Sequence, residues 1–244
     1  MIKIKSFQSL LIVFILIATP SLAKAQPFAD QDKYESFNRQ MFEFNLKFND
    51  LIGEPVARYY KNYTPVPIQT GTSNFLTNLK MPLNMVNNFL QGEVERGLND
   101  FMRFVVNTVF GFGGFIDIAT PAGLYYEKED LGQTLYKWGV WEEANFLVMP
   151  FIGAYTSREL VSGSVEGFYN PTFEYIIQTD LTGRVVIFGA DKFNSYVSVI
   201  ELVDQMKSMP DPYIFYRESY LQYRTNLIYN GRPPLPELDD FDFD

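Results

Sequence analysis

Apolar residues recur at intervals of 3 and 4 through most of the chain, while alternation at every second position is scarce and short. The first interval belongs to a helix face and the second to a half-buried strand. From Tyr34 to Leu51 the apolar positions are Tyr34, Phe37, Met41, Phe44, Phe48 and Leu51, with Phe42 and Leu46 widening the same side. This predicts an amphipathic helix with a heavily aromatic face, which Asp30 or Asp32 can cap. Asn38, Asn45 and Asn49 lie among those aromatics, although asparagine is a weak helix former. Two readings stand for them: capping or solvent-facing groups, or a polar line along a wet cavity.

Gly53 and Pro55 end that helix and open a short one through Tyr60, which Thr64-Pro65-Val66-Pro67 stops. Thr70 to Leu79 reads as a further short helix, and Pro82 suits the first turn of another that Gly92 closes. The clearest helix runs from Glu93 to Phe110, with Leu98, Phe101, Met102, Val105, Val106 and Val109 on one side. It leads into Asn107-Thr108-Val109-Phe110-Gly111-Phe112-Gly113-Gly114-Phe115-Ile116-Asp117, where glycines break the pattern among large aromatics. Glycine permits tight bends and close backbone approach, so this is a bent apolar corner. It is either a buried turn or a ligand-contacting surface.

Pro121, Gly123 and the charged stretch from Glu127 to Asp130 read as loop, and Asp130 caps a short helix through Lys137. Between Val140 and Tyr155 lie Trp141, Phe146, Leu147, Val148, Met149, Phe151 and Ile152, interrupted by Pro150 and Gly153. This is not a regular helix; it is a buried loop or an apolar segment facing lipid or a partner. Thr156-Ser157-Arg158-Glu159 is a capping box opening a helix to Phe168, before Asn170-Pro171. A short helix at Phe173 to Gln178, a long one from a Thr182 cap to Met206, and a last one from Asp211-Pro212 to Gly231 complete the pattern. The last carries Tyr213, Tyr216, Tyr220, Tyr223 and Leu227 on one face. The expected fold is a single all-α domain over residues 26–231, followed by an acidic tail at 232–244 expected to lack fixed structure.

Composition adds compartment and chemistry. Lys3 and Lys5, the apolar run from Leu10 to Ala18 and Ala23-Lys24-Ala25 make a cleaved secretory signal over residues 1–25. That run is too short to span a bilayer. Removing it takes away three lysines and no acid, which moves the formal net charge from −9 to −12. Such a chain is a poor partner for nucleic acid or for an anionic surface held by electrostatics alone. The chain has 0 histidines and 0 cysteines. Thiol catalysis, thiolate metal sites and His-assisted nucleophiles are thereby excluded, and no metal site or cofactor is expected. Aromatic residues make 17% of the chain and are spread along it, which suits either a filled core or a lipid-facing surface.

Three suggestive strings fail. Gly111-Phe112-Gly113-Gly114 is not a dinucleotide loop, because Ile116 stands at the third glycine position and no strand precedes it. Ser162-Gly163-Ser164 lacks the nucleophile-elbow spacing and any histidine. The acidic end, Asp239 to Asp244, lacks the glycine and distal glutamate of a calcium loop.

Tyr34-Glu35-Ser36-Phe37-Asn38-Arg39-Gln40-Met41-Phe42-Glu43-Phe44-Asn45 resembles the opening helix of the MlaA (VacJ) family of outer-membrane phospholipid-transport proteins. Asn87 to Gly92, Arg103 to Asp117, Asp130 to Leu135, Pro150-Phe151 and Asp211-Pro212-Tyr213 with Arg217-Glu218 match it in the same order. The resemblance implies a helical ring in the inner leaflet of the outer membrane, on its periplasmic side. Through its amphipathic channel would pass misplaced outer-leaflet phospholipids, beside a trimeric porin and towards a soluble periplasmic lipid carrier, without catalysis. Channel candidates are Asn38, Phe44, Asn45, Asn107, Gly111, Phe112, Gly113, Gly114 and Phe115; membrane-contact candidates are Trp141, Phe146, Leu147, Met149 and Phe151. The signal ends Leu22-Ala23-Lys24-Ala25-Gln26 without the lipobox cysteine of well-studied relatives, so no acyl anchor is expected and the apolar faces would hold the membrane. A soluble periplasmic binding protein with an aromatic lipid pocket is the alternative. A lipid hydrolase is a third class, for which the chain offers no paired catalytic spacing.

Overall fold

The structure, a computed structural model, describes residues 28, 31–170 and 172–234. The expected signal segment and all but the first residues of the expected tail lie outside them. The elements run α1 (Glu35–Phe48), α2 (Glu54–Tyr63), α3 (Val66–Leu90), α4 (Val94–Val109), α5 (Leu131–Lys137), β1 (Phe146–Met149), β2 (Gly153–Thr156), α6 (Ser157–Phe168), α7 (Leu181–Ser198), α8 (Ile200–Lys207) and α9 (Pro212–Ile228). The fold is helical, as the spacing of apolar residues requires.

The capping residues act as their chemistry dictates. Asp130 accepts from the Gln133 amide at 3.0 Å, and Asp211 accepts from the amides of Tyr213 and Ile214. Thr156 accepts from the Glu159 amide at 3.4 Å. The Glu159 carboxylate does not reach back to the Thr156 amide as a capping box would. Instead it meets the Thr156 hydroxyl and Arg224.

Several boundaries differ from expectation. Gly53 does not stop the first helix, because its φ of −60° and ψ of −53° keep the chain in the right-handed region. One wide π turn, Asn49–Gly53, carries α1 into α2. Thr70–Leu79 and the Pro82 helix are one 25-residue helix, α3, with Pro82 buried inside it. A mid-helix proline forfeits one backbone hydrogen bond, and the packing of α3 against α4, α5 and α7 outweighs that loss. Asp180, not Thr182, caps α7 by accepting from the Gly183 amide at 2.9 Å, and Val199 (φ −114°) separates α7 from α8. Thr172–Ile176 is a π turn. Residues 146–156 form an antiparallel hairpin, with Phe146 paired to Thr156 and Met149 to Gly153.

The elements close into a circuit. α1 leads through its π turn to α2, α2 packs on α7, α7 on α3, α3 on α5 and α5 on α9. α9 returns to α1 through the edge-on rings of Phe42 and Tyr213, 5.7 Å apart, and the 2.9 Å pair Arg39–Asp211. One apolar core joins α1, β1, α8 and α9 through Phe42, Phe146, Val148, Met206 and Tyr213. A smaller one joins α2, α7 and α8 through Ala57, Val197 and Ile200. Among the described residues, buried polar side chains outnumber buried apolar ones. No helix among them is long and apolar enough to cross a membrane.

Candidate functional site

The strongly amphipathic helix α4 is turned inside out. Its buried side chains are Asp100, Arg103 and Asn107, together with Gly97. Its apolar side, Val94, Leu98, Phe101, Met102 and Val109, is exposed. In a water-soluble protein the apolar stripe faces the core. Here the polar stripe packs on α3, whose own inward groups are Asn78, Asn84, Asn87 and Asn88.

These polar groups satisfy one another. Asp100 Oδ2 accepts from Asn84 Nδ2 at 2.8 Å and from Asn88 Nδ2 at 2.7 Å. Burial pushes the Asp100 carboxyl up, against the pull of those two amides. Asn84 also donates to the Glu127 carbonyl at 2.7 Å, which fixes the loop before α5. Arg103 donates to Thr120 Oγ1 at 3.0 Å and to the Leu124 carbonyl, and it faces Asp117 at 3.4 Å.

The glycine corner hangs from this layer. Asn107 Oδ1 accepts from the amides of Ile118 at 2.8 Å and Ala119 at 2.9 Å, while its Nδ2 donates to Asp117. The Gly111 carbonyl accepts from Ile116 and Gly114. Gly114 has a φ of +100°, and a Cβ there would stand 2.6 Å from the Asn78 side chain. The corner is therefore rigid and closely packed on α3. At its tip Phe112 holds a φ of +55°, an unusual conformation for a large side chain, with its ring 81% exposed. Phe115 stacks on Phe75 of α3 with ring centroids 4.8 Å apart. Behind the corner lies a cavity of about 180 Å³ lined by Asn78, Arg103, Asn107, Asp117, Thr120 and Tyr126 among others.

The sequence-derived channel candidates fall into two groups. Asn107, Gly111, Phe112, Gly113, Gly114 and Phe115 share the corner. Asn38, Phe44 and Asn45 lie instead against the hairpin. Asn38 is fully buried; its Nδ2 donates to the Phe146 carbonyl at 3.1 Å and its Oδ1 accepts from the Val148 amide at 2.8 Å. Asn45, two turns on, repeats the pattern with the Met149 carbonyl at 2.9 Å and the Phe151 amide at 2.7 Å. Both amide groups are engaged at both ends, so they stitch α1 to the hairpin. The apolar face assigned to α1 is also displaced: Tyr34, Phe37, Phe44 and Leu51 are exposed, and Phe42 is the buried ring.

Of the membrane-contact candidates, Phe146 is corrected: it is 5% exposed, in the core beside Tyr213 and Tyr220. The alternation of the hairpin puts Phe146 and Val148 inward and leaves Leu147 and Met149 half-buried. Trp141 is half-buried, and Phe151 is 64% exposed. Phe151 holds a φ of +65°, with its ring edge-on to Phe44 and Phe48 at 5.1 Å. Sequence reasoning missed the buried charge cluster in which Arg224 of α9 meets Asp130 at 2.7 Å and Glu159 at 2.9 Å. Of the aromatic face read for the last helix, Tyr213, Tyr216 and Tyr220 pack into the core, where the Tyr216 hydroxyl accepts from the Ala154 amide at 2.6 Å. Among the described residues no cluster of acids is arranged to hold a metal ion.

Comparison with known proteins places this architecture. The family model described as MlaA lipoprotein matches residues 30–227. An intermembrane phospholipid transport system lipoprotein MlaA from Escherichia coli K12 is 35% identical over 210 residues, covering 84% of this chain and 81% of that protein. Its counterpart from Haemophilus influenzae is 32% identical over 202 residues, covering 80% of this chain and 79% of that one. An uncharacterized protein from Rickettsia prowazekii is 31% identical, covering 80% of each. A solved structure described as the structural basis for maintenance of bacterial outer membrane lipid asymmetry superposes with a TM-score of 0.71 at 32% identity, covering 83% of this chain and 100% of that one. The inverted helix, the glycine corner and the asparagine-lined layer thus sit in a shared framework, and the chain belongs to the MlaA family.

Proposed function

We propose that this protein carries out intermembrane phospholipid transport, taking phospholipids misplaced in the outer leaflet of the outer membrane through a passage inside its circuit of helices. The observation that carries this reading is the inversion of α4, which presents Leu98, Phe101, Met102 and Val109 outward and Asp100, Arg103 and Asn107 inward. An apolar exterior around a polar interior suits a protein seated in lipid that must pass a polar head group. The relatives named as phospholipid transport lipoproteins support the same substrate.

In this reading Phe112, Gly113 and Phe115 line the lipid entrance, and Asn107, Gly111 and Gly114 hold its shape. Phe151, with Trp141, Leu147 and Met149 beside it, meets the membrane on the periplasmic side. A trimeric porin and a soluble periplasmic carrier are the partners that would seat the ring and receive the lipid. Movement down a gradient needs no catalytic group, and the protein acts without catalysis.

Fractionation of cells expressing the full chain tests this. Retention in the outer membrane through high salt, with release by detergent together with bound phospholipid, is the expected result. A protein that is soluble and free of lipid in the periplasm overturns the reading in favour of a soluble binding protein.

A further inference from the structure

In a chain of net charge −9, two lysines lack a carboxylate of their own. Lys192 of α7 lies with its ammonium 4.9 Å from the centroid of the Tyr155 ring on β2 and 5.4 Å from that of Phe188. It is half-buried and has no hydrogen-bond or ion-pair partner among the described residues. The adjacent Asp191 is held by Lys80 at 2.5 Å. Lys128, in the loop before α5, lies 5.9 Å from the Tyr223 ring of α9. Its nearest carboxylate, Asp130, is 3.8 Å away and already bound by Arg224 at 2.7 Å. Burial, then the charge of Lys128, pull the Lys192 ammonium below its ordinary value. The hydroxyls of Tyr155 and Tyr223 have no hydrogen-bond partner among the described residues and remain free to donate.

Lys192 lies against Tyr155 and Lys128 against Tyr223, and the charge of Lys128 reaches both Lys192 and Tyr155. β2, α7, α9 and the loop before α5 therefore bring these two lysines and two phenols together beside a solvent-accessible space, where Lys128 and Tyr223 are 42% and 48% exposed. A desolvated ammonium without a counter-ion is unfavourable. An anion with several acceptor oxygens relieves both lysines and both hydroxyls, and lysine is a natural point-charge partner for phosphate. We propose that Lys192, with Lys128 and the hydroxyls of Tyr155 and Tyr223, forms a waypoint that binds the phosphodiester of a phospholipid head group in transit. This rests on the transport reading.

The test uses the full chain purified in detergent and two fluorescently labelled lipids with the same acyl chains, dioleoyl phosphatidylglycerol and dioleoylglycerol. Lys192→Glu should weaken phosphatidylglycerol binding by about ten-fold or more. It should leave dioleoylglycerol binding unchanged, and Lys192→Arg should retain most of the affinity. Lys47→Glu, an exposed position on α1, serves as the charge control, and Lys128→Glu as the second variant should Lys192→Glu fail to fold. Equal loss for both lipids, or no loss for either, overturns the waypoint. Inorganic phosphate binding as tightly as the lipid, in a Lys192-dependent way, overturns the head-group assignment in favour of a free-phosphate site. Wild-type protein that binds neither lipid overturns the transport reading itself, whereas wild-type binding of phosphatidylglycerol that Lys192→Glu leaves intact removes the waypoint alone.

Discussion

Asn38 and Val148 are 110 positions apart, yet the Asn38 side-chain oxygen accepts the Val148 amide proton at 2.8 Å while its nitrogen serves the Phe146 carbonyl at 3.1 Å. The side chain thus behaves as a neighbouring strand would, closing two backbone groups of β1 from a helix. Asn38→Ala leaves both groups buried without partners, at about 1–3 kcal/mol each. Thermal unfolding should show a clear fall in Tm. Asn38→Asp should be worse at neutral pH, because a carboxylate would oppose the Phe146 carbonyl and Asp32, which Asn38 now serves at 2.9 Å.

Arg224 and Asp130 make a second long-range tie. Arg224 is 2% exposed, meets Asp130 through two nitrogens at 2.7 and 3.1 Å, and reaches Glu159 at 2.9 Å. Burial works to raise the Asp130 carboxyl, but the guanidinium overcomes it and holds it well below the usual carboxylate range. Arg224→Met would leave Asp130 with Lys128 at 3.8 Å and Glu159 with Arg158 at 3.3 Å as their remaining cations, and should cost about 2–4 kcal/mol. Chemical denaturation should register it as a lower midpoint.

Much of this fold is legible in the sequence because it rests on local chemistry. Asp130, Asp211 and Thr156 each sit one residue before a helix and cap it as their side chains require. The direction in which a helix faces is another matter. Periodicity finds the two sides of α4 but cannot say which one turns inward, since the spacing is identical either way. The asparagines of α1 mislead for a related reason: a polar group at helix spacing reads as a channel lining, while its partners are strand residues more than a hundred positions away. The hairpin at 146–156 is hidden because four-residue strands give too short an alternation.

Glu129 and Glu166 are both pushed up to about 7 from an ordinary 4.5, burial being the main cause in each. Glu129 accepts from Gln91 at 2.9 Å and Glu166 from Asn87 at 2.8 Å. A raised carboxyl keeps its proton in the folded state where the unfolded chain has lost it. Its contribution is complete below about 4.5 and disappears as pH rises through about 7. Asp130 has the opposite sign and loses its contribution only as pH falls below the ordinary carboxylate range. Tm should therefore rise by a few degrees between pH 8 and pH 5.5, and a Glu129→Gln/Glu166→Gln double variant should flatten that slope.

The two sides of α4 should respond oppositely. Leu98→Ser with Phe101→Ser changes side chains that are 53% and 46% exposed, so the folded protein should lose within about 0.5 kcal/mol per site. Its binding to phospholipid vesicles should fall sharply. Asp100→Ala removes the acceptor shared by Asn84 and Asn88 and should lower stability, without weakening vesicle binding by the fraction that stays folded. Flotation with vesicles, read beside thermal unfolding, separates the two effects.

The corner offers a comparison between neighbouring glycines. A Cβ on Gly111 would fall 2.1 Å from the Ile116 carbonyl and 2.4 Å from the Asn107 carbonyl, both backbone atoms that no rotamer change can move aside. Gly113 has open space around it but a φ of +72°, so alanine there pays only for the left-handed conformation, about 1–2 kcal/mol. Gly111→Ala must shift the corner off α3, breaking the bonds by which Asn107 fixes Ile118 and Ala119. Gly113→Ala should lower Tm modestly and weaken phospholipid binding only slightly, because its methyl group enters open space at the entrance. Gly111→Ala should lower both, with the loss of lipid binding persisting at temperatures where the protein is still helical by circular dichroism. Equal behaviour of the two variants would mean that the corner's shape contributes nothing to the lipid site.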